Sequence, residues 1–177
     1  MSTVKETHSA QVPFSTTLLV RDTCLCLHVQ RAARALARRF DAALKPVGLT
    51  NGQFSLLMSL NRPERTSPGA PGVPKATIGS VAELLGMDRT TLTAAARVLY
   101  DRELLVLEPE PGDKRSKVLK LTAEGRRVLA AAVPIWTREH AALELSLHNG
   151  GAGQLRQHLN VLAKADQLSC GSKVGLK

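Results

Sequence analysis

The stretch Asp88-Arg-Thr-Thr-Leu-Thr-Ala-Ala-Ala-Arg97 carries two guanidinium groups and three short hydroxyls at helical spacings. On a helix, Arg89, Thr90, Thr93, Ala94 and Arg97 share one side, and Leu92, Ala95, Ala96 and Leu99 share the other. An arginine fork can take phosphate or the O6 and N7 of guanine. Threonine hydroxyls, Thr91 included, can touch phosphates or base edges, and their methyls suit thymine. Asp88 is placed to cap the first turn, where free helix amides attract a phosphate. A second cationic cluster follows at Asp113, Lys114, Arg115 and Lys117. Asp113 can orient the guanidinium of Arg115, and an arginine at a hairpin tip suits the negative potential of a narrow minor groove. Taken singly, each cluster also fits an ordinary solvated surface. The second lying directly downstream of the first favours their joint use on nucleic acid.

The elements needed to position these groups are legible around them. Thr77-Ile-Gly-Ser-Val-Ala-Glu-Leu-Leu-Gly86 reads as a short helix ended by glycine, and Asp88 to Arg102 as a second helix. Leu104–Leu107 and Lys117–Leu121 are apolar runs flanking a charged loop from Glu108 to Ser116. Helix, tight turn, helix and cationic hairpin in that order predict a winged helix-turn-helix. Upstream, Leu25, Val29, Ala32, Ala33, Leu36, Phe40 and Leu44 share the face of a long helix, with Arg31, Arg34, Arg38 and Arg39 on its other side. Pro46 and Gly48 stop it. Thr50 and Gln53 form a capping box, with Leu49 and Phe54 spaced as a hydrophobic staple, and Phe54, Leu56, Leu57 and Leu60 supply a buried face.

Residues 61–75, rich in proline and glycine, read as an exposed loop. Thr122 caps a further helix carrying Val128, Leu129, Ala132, Ile135, Trp136, Leu143 and Leu147, which Pro134 is expected to kink or split. A last helix, Ala152 to Leu168, aligns Leu155, Leu159 and Leu162. Trp136 and His140 read as core or dimer contacts. The expected organisation is a flexible arm (1–16), a dimerisation helix (17–47), a winged helix-turn-helix (48–121), C-terminal dimerisation helices (122–170) and a tail (171–177). The fold class is mainly α with a small β-hairpin wing. The terminal helices carry more apolar stripe than the middle unit can cover, so a second copy of the chain is the expected partner, forming a two-fold homodimer.

A net charge of +9 and a pI near 10.0 favour a polyanion, and aromatics at 3% argue against base stacking as the mode of binding. No apolar run is long enough to span a membrane, and Met1 to Ser15 lacks the apolar core of a signal peptide, so a cytoplasmic protein is expected. Three cysteines, Cys24, Cys26 and Cys170, make no disulfide framework, and no spacing fits zinc or another cofactor. No phosphate-binding glycine loop is present. Thiol catalysis by Cys24 and Cys26 would lack an accompanying His or carboxylate constellation, so the chain does not read as an enzyme.

Gly48-Leu-Thr-Asn-Gly-Gln53, Val81-Ala-Glu-Leu-Leu-Gly-Met-Asp-Arg-Thr-Thr-Leu-Thr93, Pro111-Gly-Asp-Lys-Arg115 and Leu121-Thr-Ala-Glu-Gly125, in this order, resemble the MarR family of bacterial transcription regulators. The resemblance covers roughly residues 20–165. It implies a dimer of winged-helix subunits binding a palindromic double-stranded DNA operator, usually as a repressor, with Asp88 to Arg102 as recognition helix and Arg115 as wing arginine. It also implies release by a small aromatic or phenolic effector or by an oxidant. An effector carboxylate would meet His28, Arg31 and Arg34, which equally fit a solvated face. Cys26, in Leu25-Cys-Leu27, is similar in placement to the peroxidatic cysteine of the family's hydroperoxide sensors. A thiol at a helix start near arginines is placed to form the reactive thiolate. Both cysteines also fit as small core residues. Cys24 and Cys26 lie near the start of the first long helix, where residues two apart point about 200° from each other, so a Cys24–Cys26 bond would require the helix end to unravel. Cys170 is an alternative resolving partner.

Three departures stand out. Ala94 replaces a common groove-facing arginine, Glu103 a common glycine, and the 61–75 loop is long. The expected function is a dimeric sequence-specific repressor relieved by a small organic ligand. The alternatives are a cysteine-based oxidant sensor of the same fold and a non-specific architectural DNA-binding protein.

Overall fold

The computed structural model describes residues 11–62, 75–110, 113–147 and 151–169, with the side chains of 110, 113–116 and 165–169 left out. The elements are α1 (Phe14–Thr23), α2 (Leu25–Leu44), a 3₁₀ turn (Lys45–Val47), α3 (Asn51–Leu60), α4 (Ile78–Leu85), α5 (Arg89–Asp101), β1 (Leu105–Glu110), β2 (Asp113–Leu121), α6 (Ala123–Leu145) and α7 (Gly151–Ser169). They divide into two units, Met1–Arg39 and Phe40–Lys177, with the boundary inside α2.

In the first unit, two expectations need correction. The arm expected over 1–16 gives way to helix at Phe14, after Pro13, whose φ of −57° is already close to helical. Residues 1–10 of that arm lie outside the described residues. Cys24 is not helical: at φ −71° and ψ 105° it separates α1 from α2. Its carbonyl accepts the His28 amide at 3.1 Å and so begins α2. Neither proline nor glycine marks this break, which is why residues 17–47 read as a single helix. No side chain of α1 is buried, and Leu25, Val29 and Leu36 of α2 are exposed.

The second unit holds one core. Phe40 and Leu44 from α2, Phe54, Leu56, Leu57 and Leu60 from α3, Val81 and Ala82 from α4, and Leu92, Ala96 and Leu99 from α5 meet Leu105, Leu119 and Leu121 of the hairpin and Val128, Leu129 and Ala132 of α6. Each fully buried leucine contributes about 1.5–3 kcal/mol relative to an exposed one. No charged or polar residue among those described is buried.

Three helix ends are closed by the same pair of hydrogen bonds. After α4, the Met87 amide reaches Ala82 O at 2.9 Å and the Gly86 amide reaches Glu83 O at 3.2 Å. After the 3₁₀ turn, the Leu49 and Gly48 amides reach Leu44 O and Lys45 O. After α5, the Leu104 and Glu103 amides reach Leu99 O and Tyr100 O. Each closure needs one left-handed residue. Gly48 (φ 68°) and Gly86 (φ 63°) supply two of them, and Glu103 (φ 57°) the third.

β1 and β2 pair antiparallel, Leu105 opposite Leu121 and Leu107 opposite Leu119. The pairing continues past the apolar runs through Glu108, Pro109 and Glu110, so part of the expected loop is strand. Pro109 is tolerated because a two-stranded ribbon leaves one side of each strand unpaired. Thr77 bridges to Val118, and the Leu119 amide donates to Ala76 O at 2.8 Å, which ties the wing to the start of α4. α6 runs unbroken through Pro134, so the helix is not split there. Its buried residues all precede the proline, and Ala130, whose carbonyl loses a helical donor, is exposed to water. Most of the 61–75 loop, residues 63–74, lies outside the described residues.

Candidate nucleic-acid interface

α4 and α5 each begin with a local side-chain cap. Thr77 Oγ1 accepts the Ser80 amide and Ser80 Oγ accepts the Thr77 amide, both at 3.1 Å, capping α4. Gly86 reverses the chain. Asp88 Oδ1 then accepts the Thr91 amide at 2.7 Å and starts α5. The Asp88 carboxyl lies below its ordinary pKa, chiefly because the Thr91 hydroxyl donates to it, with the Thr91 amide next. The start of α5 is therefore capped by its own anion. The cap expected of Asp88 is present, and it occupies the Thr91 amide.

Leu92, Ala96 and Leu99 face the core, and Arg89, Thr90, Thr93, Ala94 and Arg97 together line a shallow exposed concavity on the opposite side. Within it the groups are partly engaged already. Thr93 Oγ1 donates to Arg89 O at 2.7 Å and Thr91 Oγ1 donates to Asp88, so both hydroxyls offer lone pairs and methyls outward, not protons. Arg97 Nε lies 2.9 Å from Asp101 Oδ1, and its guanidinium carbon is 5.7 Å from the Tyr100 ring centroid. The Arg89 guanidinium folds back onto α4: a Cβ at Gly79 would come within 3.2 Å of Arg89 Nη2. Gly79 thus supplies the space in which Arg89 rests.

In the wing, Lys117 is exposed and opposes Pro109, and Lys120 Nζ pairs with Glu108 Oε2 at 2.7 Å. The pair neutralises part of the acidic base of the hairpin. Asp113, Lys114 and Arg115 have backbone in β2, but their side chains lie outside the described residues. Residues 111 and 112 lie outside as well.

Two joints went unread in the sequence. Gly125 sits against the end of α5: a Cβ there would fall 1.9 Å from Leu104 O. Beside it, Thr122 Oγ1 donates to Glu103 O at 2.7 Å and accepts the Gly125 amide at 2.9 Å. The second joint is Arg102, which reaches from the end of α5 to Gly48 and Gln53. Neither is marked by periodicity, because each is a contact between distant segments.

The remaining candidates are dispersed. His28 Nδ1 donates to Cys24 O at 2.9 Å, and Arg34 Nη2 donates to Gln30 Oε1 at 3.3 Å, so His28, Arg31 and Arg34 converge on no common partner among the described residues. Cys26 is exposed, with Gln30 Nε2 donating to its sulfur at 3.2 Å, and Cys24 is half-buried. Cys170 lies outside the described residues. Trp136 stacks on Phe54 and on His140, at 6.1 and 4.6 Å between ring centroids. Among the described residues no cluster of His, Cys, Asp and Glu could hold a metal ion, and no helix is long and apolar enough to cross a membrane.

The M. tuberculosis transcriptional regulator MosR, solved in complex with DNA, superposes with a TM-score of 0.69 at 33% identity, over 84% of this chain and 98% of MosR. The chain belongs to the MarR family of winged helix-turn-helix transcriptional regulators. CouR, a transcriptional repressor solved on a 23-mer DNA duplex, superposes with a TM-score of 0.68 at 27% identity, over 87% of this chain and 99% of CouR. In sequence, the transcriptional repressor NicR of Pseudomonas putida is 35% identical over 75 residues, 41% of this chain and 47% of NicR. The chain spans about half the length of the curated relatives it matches. No family model matches it. α4, α5 and the β1–β2 hairpin follow one another in the helix, helix, wing order of a winged helix-turn-helix.

Proposed function

We propose that this protein is a cytoplasmic, dimeric, sequence-specific DNA-binding repressor and not an enzyme. The observation that carries the reading is the outward face of α5, where Arg89, Thr90, Thr93 and Arg97 border one exposed concavity beside a hairpin wing. MosR and CouR, similar over most of this chain, have been solved on DNA. In the proposed complex α5 enters the major groove, Arg89, Thr93 and Arg97 read base edges, and Lys114, Arg115 and Lys117 take phosphate and minor groove. Asp88, Thr90, Thr91 and Asp113 orient or supplement these contacts. Two copies join through α1, α2 and α7, where Leu19, Val20, Leu155, Leu159 and Leu162 are exposed in the single chain.

The proposed operator is palindromic and the proposed effector a small aromatic or phenolic compound, with His28, Arg31 and Arg34 meeting its anion. CouR is also known bound to p-coumaroyl-CoA. The test is a competition titration at fixed salt between a duplex enriched by the protein from a random-sequence pool and an unselected duplex. A specific repressor prefers the enriched duplex by about 1,000-fold or more. Equal affinity identifies an architectural binder instead.

A second reading, oxidant sensing, draws support from the extended backbone at Cys24, two residues before the exposed Cys26. Closing the pair would release the bonds that hold Cys24 in place, from its amide to Val20 O and from the His28 amide to its own carbonyl. A peroxide would oxidise Cys26 to its sulfenic acid, releasing the reduced alcohol or water. Cys24 would then displace water to form the disulfide. Peroxide treatment should remove two hydrogens from the wild-type intact mass and leave Cys24→Ser without that disulfide. No such mass change in wild type ends the reading.

A further inference from the structure

Arg102 follows the last turn of α5, yet its guanidinium works elsewhere. Nη2 donates to the carbonyl of Gly48 at 2.9 Å, and Nη1 donates to Gln53 Oε1 at 3.2 Å. Both acceptors belong to the junction between α2 and α3. Gly48 is the left-handed residue that closes the 3₁₀ turn, and Gln53 Oε1 also accepts the Thr50 amide at 3.1 Å in the capping box of α3. Asp41 Oδ1 accepts the Asn51 amide at 2.7 Å at the same junction. One planar fork therefore bridges the end of the recognition helix to a rigid, doubly capped corner.

We propose that Arg102 is a positioning residue for sequence reading: it fixes the angle of α5 by anchoring its C-terminal end to the α2–α3 corner, and makes no contact with DNA. The inference rests on the DNA-binding function proposed above. Leu92, Ala96 and Leu99 hold α5 by apolar packing, which is strong but weakly directional. The Arg102 bonds are directional and lie at one end of the lever. From there to Arg89 a helix rises about 20 Å, so a tilt of about 3° moves the Arg89 end by about 1 Å, enough to spoil hydrogen bonds to base edges. Non-specific attraction to phosphates tolerates such a shift, because it depends on charge more than on alignment.

The probes are a duplex enriched by wild-type protein from a random-sequence pool and an unselected duplex of equal length. Binding is followed by anisotropy across a potassium chloride series for wild type, Arg102→Ala and Arg102→Lys, with a thermal melt of each. Arg102→Ala should weaken binding to the enriched duplex by about 3–10-fold, leave the unselected duplex unaffected, and keep the slope of affinity against salt. Arg102→Lys, with a point charge in place of the fork, should recover only part of the loss. Because the side chain is exposed, the variants should remain folded at the assay temperature. Unchanged affinity for the enriched duplex overturns the proposal. So does equal weakening on both duplexes, or a slope reduced by about one counterion, which would mark Arg102 as a phosphate ligand. If wild type enriches no sequence at all, the function proposed above fails first, and is seen to fail separately.

Discussion

Glu103 holds a left-handed conformation where two other helix ends of the chain use glycine. A side chain with a Cβ is strained there, so Glu103→Gly should raise stability by about 0.5–1 kcal/mol, read from chemical denaturation. Gly125 poses the opposite problem. With a Cβ only 1.9 Å from Leu104 O, Gly125→Ala must move backbone and should cost about 1–3 kcal/mol in the same measurement. Asp88 links the start of α5 to pH. Its folded pKa is depressed by the Thr91 hydroxyl and amide, so its stabilising effect is complete above the ordinary carboxylate range and is lost as pH falls through the folded value. The gap in melting temperature between wild type and Asp88→Ala should therefore shrink as pH falls below about 4. A gap that is constant across that range contradicts the capping role. At this scale the sequence was readable wherever a residue type is tied to one local job, as with Thr50, Asp88, Thr122, Gly48 and Gly86. It was silent on Arg102 and Gly79, whose jobs are set by segments remote in the chain. Glu103 was flagged only because glycine is common there in the family.

At the scale of elements, Thr122 and Gly125 seat the start of α6 against the residues that follow α5, and Thr77 and Ala76 tie the wing to the start of α4. The wing is thus an extension of the core, and a charge at its tip acts from a fixed base. Arg115→Ala should weaken operator binding by roughly 1–3 kcal/mol in a gel-shift titration, and unchanged binding would remove the wing from the docking geometry. The apolar periodicity of α3, α5 and α6 made their buried faces legible, since one face of a helix must meet the core. β1 and β2 outran their apolar runs because pairing through Glu108 and Pro109 requires backbone, not hydrophobic side chains. α1 was missed for a related reason: it buries nothing within the chain, so burial left no pattern to read. The break at Cys24 lacks any glycine or proline signal.

For the whole molecule, the decisive fact is where apolar surface stays uncovered. Leu155, Leu159 and Leu162 of α7 are 39–45% exposed, and no side chain described in α7 is buried. Such a stripe fits a helix that waits for a second copy. Leu159→Asp should shift the protein towards monomer in sedimentation velocity and weaken operator binding at the same time, since each half-site alone holds one recognition helix. The net charge of +9 sets the long-range attraction to DNA, and added salt should weaken binding steeply. The central claim is that paired α5 helices occupy successive major grooves. Hydroxyl-radical and methylation footprinting of the enriched duplex tests it most directly. Two symmetric patches of major-groove protection centred about 10 base pairs apart are expected. A single patch, or uniform protection along the duplex, would contradict it.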